Sequence, residues 1–191
     1  RVRARTMAMQ RSEELRDAAA LLFQQTQALG AKSFACGFSI WGEEKKTGTF
    51  WMAQENMIQP PFTANSTEDV FLDIYEAAQR GESLYVKAQE GKELEAHYRY
   101  MSTIPIFKGI MEKMEQAGRS VPTFQILHCA FFSQGFLLFI TYEPVQEIWE
   151  VFKRFAKVFE QTYTRFLDLQ KAEAQAREAK IEAALERTRT Q

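Results

Sequence analysis

The sequence contains little of what several classes of protein depend on. It has 2 cysteines and 2 histidines among 191 residues, and its formal net charge is −1. Two cysteines are too few for a disulfide framework, so we expect a reducing compartment. A general nucleic-acid binder usually carries a basic surplus, which is absent. No apolar run reaches the roughly 20 residues that cross a bilayer, and no hydrophobic signal-peptide core follows the basic start. We therefore expect a cytoplasmic protein without a membrane segment or a nucleic-acid partner.

Apolar side chains, in contrast, are plentiful. Hydrophobic residues make up 46% of the chain and aromatic residues 13%, including 16 Phe. This composition supports a real hydrophobic core, and the length suits one domain with extensions. The chain begins with Arg1 rather than Met, from which we expect a part of a longer protein.

Seven-residue spacings predict a long helix at each end of the chain, as in a coiled-coil seam. In residues 1–30 the spacing is carried by Ala8, Leu15, Leu22 and Leu29. In residues 145–191 it is carried by Leu167, Ala174, Ile181 and Thr188, which follow an aromatic half that includes Phe159 and Phe166. Residues 187–190 (RTRT) also read like residues 1–4 (RVRA), which indicates either one unit of a tandem array or simply two charged helices rich in Arg and Ala. We predict two signalling or dimerisation helices, 1–30 and 145–191, around a core of residues 31–144.

The core alternates between strands and helices. Apolar runs predict strands at 34–41, 49–54, 83–88, 123–132 and 136–142, with hairpins at both ends. Ser66, followed by Asp69, predicts the start of a helix that runs to about residue 80. A second helical stretch at 92–116 should break at Pro105. Because both sides of the strands are apolar, helices should cover both faces of the sheet. The predicted fold is α+β, with a central antiparallel sheet.

Several segments of the sequence resemble those of a known family. Residues 1–15 (RVRARTMAMQRSEEL) and 159–187 (FEQTYTRFLDLQKAEAQAREAKIEAALER) are similar to the connectors that flank GAF-like domains in bacterial hybrid sensor histidine kinases. Residues 123–132 and 152–169 resemble the same subfamily, and the order of elements resembles that of a GAF domain. The resemblance implies a sheet of five or six strands, terminal helices packed together on one face and a ligand pocket on the other. It also implies a homodimer through the terminal helices, with a kinase or further sensor domains elsewhere in the same chain of a two-component system.

Several side chains are candidates for the pocket. Ser39 and Trp41 share one side of the first strand, and Trp51 lies on the facing strand. His97 and Tyr100 share a helix face beside Tyr98, and His128, which lies mid-strand, could titrate near neutral pH. Each of these residues also fits a filled core, since pockets and cores are both mostly apolar. The relay and dimerisation residues are predicted to be Leu15, Leu22, Leu29, Phe159, Phe166, Leu167, Ala174 and Ile181.

No cofactor or metal site is predicted, because the histidines and cysteines are scattered over separate elements. The ligand, if one binds, is an unidentified small molecule. The chain also shows no phosphoacceptor histidine motif and no Gly-rich nucleotide-binding region, so we expect a non-catalytic sensory and relay module. Two alternatives stay open. The domain could be a ligand-free structural spacer that dimerises, or a GAF-fold thiol redox enzyme that uses Cys36 or Cys129, which would require an exposed, low-pKa thiolate.

Overall fold

The computed structural model describes residues 12–189 apart from 43, 45 and 56, with side chains from residue 15 onward. Ala8 of the predicted N-terminal spacing lies outside the described residues, as do residues 1–4 and 190 of the matching ends.

The centre of the fold is one antiparallel sheet. Its strands are β1 (Ser33–Trp41), β2 (Thr47–Gln54), β3 (Met57–Ile58), β4 (Phe62–Asn65), β5 (Leu84–Glu90), β6 (Phe124–Phe132) and β7 (Gly135–Thr141). The strand order is β3-β2-β1-β7-β6-β5, and β4 also pairs with β2. The predicted antiparallel sheet and its two hairpins are confirmed. Strands β3 and β4 are not among the predicted strands, because they are short and flank Pro60 and Pro61.

In the described part of the chain, five α-helices surround the sheet: α1 (Ser12–Ala28), α2 (Asp69–Gln79), α3 (Gly91–Met101), α4 (Pro105–Gln116) and α5 (Trp149–Arg189). The break at Pro105 is confirmed, since proline occupies the first turn of α4, where its missing N–H costs no hydrogen bond. Gly118, with φ of 71°, follows α4 as predicted. Helix α5 is 41 residues long and follows a short 3-10 turn, Gln146–Ile148. Among the described residues, no helix is both long and apolar enough to span a membrane.

The predicted N-cap of α2 is wrong. Ser66 is buried in the turn before the helix, and its N–H donates to the Lys46 carbonyl. The cap is Glu68, whose Oε2 accepts the Phe71 N–H at 3.3 Å. Strand β4 extends to Asn65, and the observed cap lies two residues after the predicted one.

Each face of the sheet has its own hydrophobic core, as predicted. Helices α1 and α5 cover one face, where the buried residues are Ala19, Phe23, Cys36, Phe38, Ala53, Ala130, Phe132, Leu137, Phe139, Val145, Phe152 and Ala156. Helices α2, α3 and α4 cover the other, where they are Ala35, Phe50, Met52, Phe62, Ala64, Val70, Phe71, Ile74, Met101, Leu127, Cys129, Phe136 and Leu138. The two-sided apolar pattern of the strands follows from this three-layer packing.

The terminal helices also contact each other. Leu15 and Ala18 of α1 pack with Tyr163 and Phe166 of α5. Of the predicted relay residues, Leu15, Leu22, Phe159 and Phe166 are buried or half-buried within this core. Leu29 is 48% exposed, because α1 ends just beyond the sheet. Every residue of segment 167–189 is exposed, including Leu167, Ala174 and Ile181.

Candidate ligand cavity

A cavity of about 60 Å³ lies between the sheet and helices α2, α3 and α4. It sits over one end of the sheet, beside the start of β1 and the end of β2. Its lining is mostly apolar and consists of Phe34, Ala35, Phe50, Met52, Gln54, Gln59, Phe62, Phe71, Ile74, His97, Tyr98, Met101, Phe107, Ile110, Met111, Met114, Val121, Pro122, Gln125, Leu127, Leu138 and Ile140. A concave, mostly apolar site with a few polar groups is typical of small-molecule pockets.

One polar group of the cavity is His97 of α3. Its Nδ1 lies 3.2 Å from Glu68 Oε1, and both side chains are largely buried. The other oxygen of Glu68 accepts the Phe71 N–H at the start of α2. An ionised Glu68 can only accept, so Nδ1 carries the proton of the pair. In neutral His97 the Nε2 atom is therefore an acceptor, and it has no hydrogen-bond partner among the described residues.

A second polar group belongs to a buried chain of hydrogen bonds. The Tyr98 hydroxyl donates to Gln125 Oε1 at 2.7 Å, and Gln125 Nε2 donates to Gln89 Oε1 at 2.8 Å. Burial raises the pKa of Tyr98, which keeps the phenol protonated and donating. Gln89 Nε2 is buried and has no partner among the described residues. The chain fixes Tyr98 and Gln125 at the cavity wall.

The cover of the cavity is adaptable. Phe107, Ile110, Met111 and Met114 of α4 all line it, and their spacing places them on one face of that helix. Of the residues of α4, all of which are described, Ile110 alone is buried. Methionine is flexible and fills irregular space. Helix α4 is also the least buried of the three helices on this face of the sheet.

The structure brings together only some of the predicted pocket residues. His97 and Tyr98 line the cavity. Tyr100 packs against the same core and accepts the Asn65 N–H through its hydroxyl at 2.7 Å, but it does not reach the cavity. Ser39 and Trp41 lie on the correct face of β1, toward its far end, where Trp41 packs against Tyr75 and Phe136. They do not line the cavity either.

Trp51 and His128 lie on the opposite face of the sheet from the cavity. The prediction that they line the same pocket is therefore wrong. The Trp51 ring stacks on Phe38 with centroids 5.2 Å apart. His128 lies beneath α5, with its ring 5.6 Å from that of Phe152. Both strands are apolar on both sides, and the sequence pattern does not distinguish the two faces.

The hydrogen bonds of His128 define its tautomer. Thr141 Oγ1 donates to the Glu143 carbonyl at 2.8 Å, so it accepts from His128 Nε2 at 3.0 Å. Nδ1 is then unprotonated, and it is buried without a partner among the described residues. Burial lowers the pKa of His128 to about 4. The ring is therefore neutral at pH 7. The prediction that His128 titrates near neutral pH is wrong.

The two thiols lack the exposure that the redox alternative needs. Cys36 and Cys129 are both fully buried, and they face opposite sides of the sheet. Burial raises the pKa of both thiols. A thiolate at either position is strongly disfavoured, and the two sulfurs cannot meet through the sheet.

The cavity is also lined by residues that the sequence pattern did not indicate. Gln54, Gln59 and Gln125 are polar, but glutamine in strands and loops carries no distinctive signal. The apolar spacing of 107, 110, 111 and 114 in α4 could have been found, because it marks one helix face. Among the described residues, no group of three or more His, Cys, Asp and Glu could hold a metal ion.

Comparisons with known proteins add no identification. No protein-family description, curated protein or solved structure matches this chain.

Proposed function

We propose that this chain is a non-catalytic sensory and relay module of a cytoplasmic bacterial signalling protein, with a GAF-like core and a histidine kinase as its output. A ligand in the cavity would alter the packing of the middle helices on the sheet. The change would pass through the sheet to α5, and through α5 to a second copy of the chain. The resemblance of the connectors supports the family, and the packing of β6 and β7 supports the relay.

The observation that carries the proposal is that β6 and β7 contact both the cavity and α5. Leu127 and Leu138 line the cavity from these strands. On the other face, Phe139 stacks on Phe152 of α5 with centroids 3.9 Å apart, and Phe132 packs against Phe159. A ligand that moves these strands therefore changes the surface on which α5 is docked. Allosteric coupling requires such a physical element with two arrangements.

The turn between β6 and β7 also bonds to α5. The Ser133 hydroxyl donates to Glu160 Oε1, and Gln134 Nε2 donates to Thr164 Oγ1 at 3.0 Å. These bonds lie near the point where α5 leaves the domain. A shift of the hairpin would therefore be transmitted to the helix at two places, at its first turns and again at residues 160–164.

A second copy of the chain is the proposed partner of the exposed part of α5. Leu167, Ala174 and Ile181 recur every seven residues, and the side chain of Ile181 is left 54% exposed. Most helical stability in proteins comes from packing of an apolar face rather than from intrinsic propensity. A parallel pair of identical helices would bury this stripe against itself, which supports dimerisation through α5.

Cysteine crosslinking in the full chain tests this pairing. Ala174→Cys places a thiol on the stripe, and Ala176→Cys places one on the opposite side of the same exposed helix. Cys36 and Cys129 are buried, so crosslinking of the unmodified chain gives the background rate. We expect rapid disulfide formation between copies for A174C and little for A176C. Equal rates, or a protein that stays monomeric at high concentration, would contradict the dimer.

A cavity-filling substitution tests the relay. Met111→Trp adds bulk to the cavity wall, whereas Ile106→Trp adds bulk in the same helix at a position that is 43% exposed and does not line the cavity. We expect M111W to change the rate of crosslinking at A174C and I106W to leave it unchanged. The small cavity volume favours the alternative of a ligand-free spacer. That alternative predicts crosslinking at A174C that neither tryptophan alters.

A further inference from the structure

The charge of the cavity wall restricts its ligand. Among the described residues that line the cavity, there is no Lys, Arg, Asp or Glu. A charged ligand would lose its hydration without gaining an opposite charge, at a cost of several kcal/mol or more. The wall therefore selects against anions such as carboxylates and phosphates, and equally against ammonium groups.

Two polar side chains, His97 and Gln59, nevertheless line the cavity. His97 has its Nδ1 atom held by Glu68, so its ring is oriented and its Nε2 atom is unused. Gln59 also lines the cavity and is only 3% exposed. In the neutral form His97 offers an acceptor, and the amide of Gln59 offers both an acceptor and donors.

Aromatic rings surround the remaining space. Phe50 and Phe62 stack with centroids 5.1 Å apart, and Phe107 meets Phe62 at an angle of 64°. Phe71 lies edge-on to His97, with centroids 5.4 Å apart. Rings in such offset and edge-to-face arrangements interact favourably with a further ring. A cavity that holds benzene measures about 150 Å³, so entry of a ring requires Met111 and Met114 to move with α4.

We propose that the cavity takes a small uncharged aromatic molecule that bears one hydroxyl group, which forms a hydrogen bond with His97 Nε2. The amide of Gln59 provides a second polar contact, and the methionines of α4 close over the ring. The inference deepens the sensory function proposed above and rests on it. It names the ligand class, and its test is independent of dimerisation.

Three probe molecules separate the possible ligand chemistries on the full chain. Phenol carries the donor, toluene is nearly isosteric but lacks it, and benzoate is charged. Calorimetric titration at pH 7 is expected to show phenol binding roughly tenfold more tightly than toluene, because one hydrogen bond distinguishes them. Benzoate should not bind. Equal affinities for phenol and toluene, tighter binding of benzoate, or no binding of any probe would overturn the proposal.

His97→Phe tests the role of the imidazole. The preference for phenol over toluene should disappear in H97F, while affinity for toluene is retained or increased. A preference that persists in H97F would overturn the assignment. A second measurement uses the unmodified chain, so its result does not depend on whether H97F folds. Phenol, but not toluene, should shift the ¹⁵N resonance of His97 Nε2, and an unchanged resonance would count against the contact.

The two proposals can fail separately. If no probe binds but A174C still crosslinks and responds to M111W, the ligand class is wrong and the relay stands. If phenol binds as expected but A174C does not crosslink, the cavity is a binding site and the dimeric relay is wrong.

Discussion

The rings of Phe139 and Phe152 stack face to face, with centroids 3.9 Å apart and 10° between their planes. Phe139 lies mid-strand in β7 and Phe152 lies in the first turn of α5, and both are fully buried. This pair attaches the long helix to the sheet. The terminal-helix core is organised around it, together with Ala156 and His128.

Phe152→Ala should strongly weaken the docking of α5. Removing a buried phenyl ring leaves a cavity, and such changes cost about 3–5 kcal/mol of unfolding free energy. Urea unfolding of the full chain measures the loss. Val158→Ala is the control, because Val158 is 61% exposed in the same helix, and its truncation should change stability by less than about 0.5 kcal/mol. Similar losses for the two variants would show that the stack does not anchor the helix.

Acid should destabilise the fold through His128. Burial holds the pKa of His128 near 4, whereas an unfolded histidine has a pKa of about 6.5. Below that value the unfolded chain takes up the proton first, so stability falls as the pH drops from about 6.5 to about 4. The full loss is on the order of 3 kcal/mol.

His128→Phe removes this proton uptake and the unpaired Nδ1 atom. The difference in unfolding free energy between the native chain and H128F, followed from pH 7.5 to pH 4, isolates the histidine. We expect the difference to change across this range in favour of the variant. A difference that is constant with pH would mean that His128 has the same pKa in the folded and unfolded chains.

Tyr98→Phe should cost more stability than Tyr100→Phe. Loss of the Tyr98 hydroxyl leaves Gln125 Oε1 without its donor in a buried place, and an unsatisfied buried group costs about 1–3 kcal/mol. Loss of the Tyr100 hydroxyl frees the N–H of Asn65, which is exposed and can bond to water. Thermal unfolding of the two variants gives the comparison. Equal effects, or a larger one for Y100F, would contradict the importance of the glutamine chain.

Both native thiols should react slowly with an aromatic disulfide reagent. Cys36 and Cys129 are fully buried, so labelling must await opening of the fold. In denaturant both should react at once, which serves as the control for reagent activity. Rapid labelling of either cysteine in the native chain would revive the thiol redox alternative.

Local signals predicted the elements of this fold better than its faces. Pro105 and Gly118 determine helix ends through their own backbone chemistry, so their positions could be read directly. Trp51 and His128 could not be assigned to a face, because their strands are apolar on both sides. Which side meets α5 and which meets α4 depends on the packing of distant segments. The cavity depends on the same packing. Of the residues predicted to line a pocket, only His97 and Tyr98 line it.

The seven-residue pattern of the ends shows a related limit. Leu15 and Phe166 share a seam inside one subunit, whereas Leu167 and Ile181 are exposed. The sequence spacing is the same in both cases. It cannot tell packing within the chain from packing between chains, because the two use the same apolar contacts.

The length of α5 gives the helix a mechanical property that its docking site does not have. A helix of 41 residues is about 60 Å long, and segment 167–189 extends on the order of 35 Å beyond its last buried residue. The docked end is held by the Phe139–Phe152 stack, and the rest is a rigid lever arm. A tilt of a few degrees at the stack displaces the far end by several ångströms. A small change in the sheet would thereby become a movement comparable to the spacing between neighbouring side chains.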